Sequence, residues 1–144
     1  EQINKCKNLE VLVVASLPEA DLKFLNNFKN LKYLSVIHLP RINDLSPLEA
    51  LVSLETVSLS TLPSWDSSGK VTVVSTLAPL VNLPRLKYLE LLGVRPENKS
   101  PLELVSSRSL VSIRLSKFAK KLEKELYEKT GLASDWAPEP EIKN

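Results

Sequence analysis

The sequence predicts an α/β solenoid with about five parallel strands on a concave face, short helical turns on the convex face and a C-terminal capping helix. Three observations predict it: a nine-residue pattern occurs five times, proline follows three of its copies, and an amphipathic segment follows the last copy. With 144 residues, 43% of them hydrophobic and 25% charged, the chain has the size and composition of one globular domain. We expect the solenoid to span residues 1–131 and a partly disordered tail to span residues 132–144.

The nine-residue pattern predicts both the strands and the core. Its five copies begin at Leu9, Leu31, Leu54, Leu86 and Leu110. The first, fourth, sixth and ninth positions are aliphatic in every copy, apart from Phe118 at the end of the last. Aliphatic fourth and sixth positions between more polar neighbours have the period of a half-buried strand. A unit this small cannot bury its apolar side alone, so the copies are expected to stack and share one core.

This pattern resembles the leucine-rich-repeat family, whose unit reads L-x-x-L-x-L-x-x-N/C-x-L over about 20–29 residues. The resemblance implies a concave sheet whose exposed positions commonly bind partners. The chain departs from the family at the ninth position, where asparagine or cysteine normally bonds the backbone of adjacent turns. Its residues there are Leu17, Leu39, Leu62, Val94 and Phe118. The segment Ile42–Leu48 is similar to the linker of bacterial internalin-type repeats, which points to a bacterial source.

The connections between strands also follow a pattern. Pro18, Pro40 and Pro63 come directly after the ninth position, where a fixed φ and a missing N–H end a strand. The segments Ser46–Glu49 and Ser100–Glu103 both read Ser-Pro-Leu-Glu, which predicts a helix start with a capping box. We expect short helical turns at Asp21–Phe28, Pro47–Leu51 and Pro101–Val105.

Residues 116–130 predict an amphipathic helix that caps the last repeat. Phe118, Leu122 and Leu126 lie on one helical face, Ser116 is placed to cap the start, and Gly131 suits the left-handed position after the end. A helix lying on a membrane surface is the alternative, and its three glutamates argue against it. At the other end, the strand Leu9–Leu17 is expected to be an open edge, through which we predict a homodimer.

Composition disfavours several classes of function. A net charge of +2 does not predict nucleic-acid binding, and no apolar run is long enough to span a membrane. The single cysteine, Cys6, forms no internal disulfide and favours a cytoplasmic location, and we expect it to be an ordinary buried residue. With His38 as the one histidine, the sequence predicts no catalytic residue, no metal site and no cofactor. We therefore expect the chain not to be an enzyme.

The exposed positions of the strands predict a partner-binding surface. Tyr33 and Tyr88 have the aromatic character enriched at interface anchors, and small residues of the third repeat predict a shallow depression between them. A spacing of 32 residues after the third repeat leaves an insertion at residues 63–74, where Trp65 is either an anchor above the face or a residue that packs the loop down. A short strand is expected at Val71–Val74. The candidate partner-binding residues are Tyr33, Ile37, His38, Trp65, Tyr88, Glu90, Leu92 and Arg114.

Three hypotheses of function follow. The first is a protein–protein interaction module that binds a partner through the concave sheet and the Trp65 loop. The second is the recognition domain of a larger enzyme, or of an immune or effector protein, whose catalytic part lies outside this chain. The third is a self-associating structural protein. The fold alone does not choose among them, because one scaffold hosts many functions.

Overall fold

A computed structural model describes residues 8–135 and 138–139, so that Cys6 and Trp136 lie outside the described residues. Five parallel strands form one sheet, in the order in which they occur along the chain apart from two short strands described below. They are β1 (Val11–Ala15), β2 (Tyr33–Ile37), β3 (Thr56–Ser60), β5 (Tyr88–Leu92) and β7 (Ser112–Ser116). Each strand pairs with the next at the positions that the repeat pattern aligns, and the predicted α/β solenoid is confirmed.

The core lies behind this sheet and is built from the repeated aliphatic positions. Leu34, Val57 and Leu89 occupy the fourth position of three successive copies, and each is at most 1% exposed. They lie directly opposite one another in the sheet, because the pairing has no offset between copies. Burial of one such side chain stabilises the fold by roughly 1.5–3 kcal/mol, so the stacked columns are the main source of stability.

Short helical segments connect the strands on the convex side. They are the 3₁₀ turns Lys23–Asn27, Ser46–Ala50 and Leu102–Ser106 and the α-helix α2 (Ala78–Val81). The three predicted turns are therefore present, as 3₁₀ rather than α-helical turns. Each contributes one fully buried leucine to the core, for example Leu25 and Leu48. No helix among residues 8–135 and 138–139 has the length and hydropathy needed to cross a membrane.

The predicted capping boxes are wrong. In the turn Ser46–Ala50 the N-cap position is Leu45, and Ser46 donates to the Asp44 carboxylate instead of capping. Glu103 does not reach back to its own turn. Its carboxylate accepts a hydrogen bond from the Thr76 hydroxyl at 2.6 Å and one from the Leu77 N–H at 3.0 Å, both in the preceding repeat. A five-residue turn offers too little helix for a box, so the glutamate satisfies the adjacent helix start.

The insertion after the third copy forms a short helix and a second sheet. Helix α1 (Pro63–Ser68) is followed by strand β4 (Thr72–Val74), which pairs in parallel with β6 (Val94–Pro96). The short strand predicted for this segment is thus present. The second sheet lies at the end where the strands of the main sheet finish, since β6 follows β5 almost directly in the chain.

This insertion changes which residue closes the third strand. Leu62, which the alignment puts at the ninth position, is only half-buried. Thr72 is 1% exposed and lies opposite Val94, so it takes the ninth position instead. Its hydroxyl donates a 3.2 Å hydrogen bond to the Leu39 carbonyl of the preceding copy. The third copy therefore has a polar ninth residue that bonds adjacent backbone, as the family's asparagine or cysteine is expected to do.

The C-terminal helix is shorter than predicted. It runs over Lys120–Thr130 (α3) rather than 116–130, because Ser116 still belongs to β7 and Lys117 has a φ of 68° that no helix allows. Ser116 therefore caps nothing, and the N-cap position is Ala119. The left-handed Gly131 at the helix end is confirmed, with a φ of 68°. Leu126 is fully buried, so the helix does cover the last repeat.

Candidate functional site

The outward positions of the five strands form the concave face, and its residues lie in three rows across the sheet. The tyrosine row is Val11, Tyr33, Thr56, Tyr88 and Ser112. The glutamate row is Val13, Ser35, Ser58, Glu90 and Arg114. The third row is Ala15, Ile37, Ser60, Leu92 and Ser116. Neighbours within a row are about 4.8 Å apart, so six of the eight candidate residues share one face.

The tyrosine row is less open than the sequence suggests. Tyr33 and Tyr88 are half-buried, and Thr56 between them is only 5% exposed. Burial raises the pKa of the Tyr33 hydroxyl above its usual value, and the negative charges of Glu139 and Glu90 raise it further. Thus the depression predicted between the two tyrosines is closed to solvent at Thr56.

Glu90 is the centre of the glutamate row and is 7% exposed. Its carboxylate accepts a 3.0 Å hydrogen bond from the Ser58 hydroxyl and lies 3.5 Å from the Arg114 guanidinium. Sequence reasoning gave Glu90 and Arg114 as separate contacts, whereas the structure pairs them. Removing one member of a buried ion pair leaves an uncompensated charge and typically costs several kcal/mol, so this pair fixes the middle of the face.

The third row continues into a rim where the strands end. Ile37 is 36% exposed and Leu92 is half-buried. His38, directly after β2, has a φ of 67°, a left-handed conformation shared by Ser16 and Lys117 at the same position of their copies. The fourth copy has Gly93 there, with a φ of 86°, and a Cβ at that site would come within 2.2 Å of a threonine hydroxyl of the third copy. The rim therefore has a repeated backbone turn that aims each eighth residue outwards.

Trp65 of helix α1 packs against this rim. Its ring meets the His38 ring edge-on, with centroids 4.9 Å apart and planes at 85°. The Lys70 ammonium lies 5.7 Å from the Trp65 ring. The tryptophan is half-buried, so the two alternatives for Trp65 meet in one arrangement: it holds the insertion down and still exposes part of its ring beside the concave face.

The segment after helix α3 contacts the concave face, and sequence reasoning missed it. Ala133 pairs with Ser112 at the outer edge of β7, through hydrogen bonds to Val111 and Ile113. The Asp135 N–H then donates a 2.8 Å hydrogen bond to the Ser112 hydroxyl, which donates in return to the Asp135 carbonyl at 3.2 Å. Gly131 was the available signal, because a left-handed residue after the last helix reverses the chain towards the sheet.

The arrangement favours recognition over catalysis. Within the part of the chain that the structure describes, no three His, Cys, Asp or Glu side chains converge as metal ligands. The described histidine, His38, faces Trp65, and its buried Nδ1 has no hydrogen-bond partner among the described residues. What the face offers chemically is half-exposed aromatic and aliphatic area around one fixed ion pair.

Comparisons with known proteins agree with this architecture. No protein-family model matches the sequence, and no curated protein matches it. Among solved structures, internalin C2 from Listeria monocytogenes matches with a TM-score of 0.52 and 24% identity, over 79% of this chain and 45% of its own. A second internalin from that organism matches with a TM-score of 0.46 and 21% identity, over 92% of this chain and 42% of its own. The chain spans less than half the length of either protein, and the likeness to internalin C2 is one of fold.

Proposed function

Since the chain has the leucine-rich-repeat fold, we propose that it is a protein-interaction module that binds a partner protein through the concave sheet and the rim formed by Trp65. One observation carries the proposal. Tyr33, Ile37, Tyr88 and Leu92 form a continuous half-exposed apolar area on one face, around the Glu90–Arg114 pair. Solvated surfaces seldom concentrate apolar area in this way, whereas binding surfaces do.

The size of the sheet explains why the rim belongs to the site. Five strands about 4.8 Å apart and five residues long give a face of roughly 19 by 17 Å, or about 320 Å². A stable interface needs about 800 Å² on each partner. The sheet alone is too small, and Trp65, His38 and the exposed edge of Ile37 extend it on the side where the strands end. We therefore infer that the partner contacts sheet and rim together.

Two charge substitutions test this proposal. Tyr33→Asp with Tyr88→Asp places carboxylates where the partner's apolar surface is to be desolvated, which should reduce partner capture from source-cell lysate at least about 100-fold. The control is Val52→Asp with Val105→Asp, which changes two valines that are 53% and 36% exposed and lie off the sheet. Circular dichroism should show both variants folded. Capture that survives the tyrosine changes, or is lost equally in the control, contradicts the proposed site.

Self-association is a second candidate, favoured by a specific feature of β1. In the described part of the chain β1 has a paired strand on one side only, and Val13 on it is 56% exposed. An unpaired edge is a template for another strand, so a second copy would fit there. A mass by light scattering that rises towards the dimer with concentration supports this candidate. A monomer mass at every concentration contradicts it.

A further inference from the structure

The C-terminal segment follows the outer edge of β7 and then crosses onto the concave face. Ala133 makes two backbone hydrogen bonds with the strand, the Ile113 N–H donating to its carbonyl at 3.0 Å and its own N–H donating to Val111 at 3.2 Å. Two residues later, the Asp135 backbone exchanges hydrogen bonds with the Ser112 hydroxyl, which belongs to the tyrosine row. The Tyr127 hydroxyl links the same region by bonding both the Ile113 carbonyl and the Ser134 hydroxyl.

The other end of the segment lies near β2. Glu139 is close enough to Tyr33 for its negative charge to raise the pKa of the tyrosine. From β7 to β2 there are three strand spacings, or roughly 14 Å. The chain from Asp135 to Glu139 advances four residues, which span at most about 14 Å. The length of the chain therefore matches a path from one side of the tyrosine row to the other.

Burial within the concave face agrees with this path. Ser112, Thr56 and Ser58 are 2%, 5% and 8% exposed, although all three are outward-facing hydroxyl residues. Val13, on the same face but on the strand farthest from β7, is 56% exposed. A bare sheet would expose small residues in its middle at least as much as those at its end. The covered part is the part between Asp135 and Tyr33.

We propose that the concave face is a site for an extended acidic peptide segment of the partner, and that residues 132–135 and 138–139 of this chain hold that site when the partner is absent. The proposal rests on the proposed function and names the kind of partner it requires. Ser112 supplies a hydroxyl that both accepts from and donates to a peptide backbone, which suits an extended segment of any sequence. The segment from 132 to 139 reads LASDWAPE, with two acidic residues and no basic one, which indicates the charge of the competing ligand.

A competition of this kind lowers the apparent affinity of any incoming segment by the fraction of molecules in which the site is free. Loosening the chain's own segment should therefore raise the affinity for a peptide added in solution. Asp135→Pro removes the N–H that bonds Ser112 and leaves every residue of the sheet unchanged. Asp135→Ala is the matched control, because it keeps that N–H and removes only the side chain.

The test titrates a synthetic LASDWAPE peptide, with a scrambled peptide for comparison, into the full chain and follows the NMR shifts of Ser58, Tyr33 and Ser112. We expect the Asp135→Pro chain to bind the peptide about tenfold more tightly than the wild type, and Asp135→Ala to match the wild type. Adding Ser112→Val to Asp135→Pro should abolish the gain. Equal affinity of the wild type, Asp135→Pro and Asp135→Ala chains, or shifts that the scrambled peptide reproduces, would overturn the proposal.

These outcomes are separable from those of the proposed function. If the tyrosine variants lose the partner but Asp135→Pro gains no affinity for the peptide, the module binds through its concave face and the self-occupied site is wrong. If Asp135→Pro gains affinity while the tyrosine variants still capture the partner, the segment occupies the sheet and the partner binds elsewhere.

Discussion

The two ends of the sheet carry the same repeat pattern and differ in what covers them. At the β7 end, Ile113 is fully buried, helix α3 lies over the last repeat, and Ala133 pairs with the strand's outer edge. At the β1 end, the equivalent Leu12 is only half-buried, and no described strand lies outside β1. The difference teaches that a repeat pattern fixes which side chains turn inwards, while burial at an end depends on elements that do not belong to the pattern.

The largest expected effect comes from truncating the same repeat position at each end. Ile113→Ala removes a fully buried side chain and should lower the free energy of unfolding by about 3–4 kcal/mol. Leu12→Ala removes a side chain that water already reaches, and should cost about 1–2 kcal/mol. Urea denaturation of both variants measures the difference. Equal losses would mean that the two ends are covered alike and would remove the comparison.

Most of the core could be predicted from the sequence, because the aligned columns alone make Leu34, Val57 and Leu89 neighbours, as the strand pairing confirms. The ninth position of the third copy could not. Nothing in the sequence near Leu62 says that the chain leaves the stack there and that Thr72 replaces it. The capping boxes were also wrong, since a Ser-Pro-Leu-Glu pattern does not reveal that Glu103 bonds the helix start of the preceding repeat.

For the site, alternation along the strands brought the candidate residues onto one face, while their pairing and cover depended on the rest of the chain. The Glu90–Arg114 pair follows from register, which fixes neighbours but not which oxygen meets which nitrogen. The segment beyond Gly131 was expected in a tail because its sequence has no strand period. Its contacts with β7 are mostly made by backbone, which leaves no side-chain pattern to detect. The binding roles of the candidate residues and the cytoplasmic location stay predictions.

A smaller effect should follow from disturbing the turn that returns the chain to β7. Gly131 has a φ of 68° with open space around its missing Cβ, so Gly131→Ala strains the backbone without a clash. We expect a loss of about 1 kcal/mol and faster hydrogen exchange of the Ile113 amide, which bonds Ala133. Gly69→Ala is the control, because Gly69 also has a positive φ and open space but lies in the insertion. If Gly69→Ala speeds exchange at Ile113 equally, the turn does not specifically hold the β7 edge.

The smallest effect is electrostatic and reports how far the segment reaches from the β7 end. The pKa of Tyr33 is raised first by burial and then by Glu139 and Glu90, so Glu139→Gln should move it back towards 10.0 without reaching that value. Titration of the Tyr33 ring by NMR measures the change. Glu128→Gln, on an exposed position of helix α3, should leave that pKa where it is. The folded protein holds the Tyr33 proton to higher pH than the unfolded chain does. Its unfolding free energy should therefore fall as pH rises above about 10, and fall less steeply in Glu139→Gln. An unchanged pKa in Glu139→Gln would place the segment away from β2 and confine the cover to the β7 end.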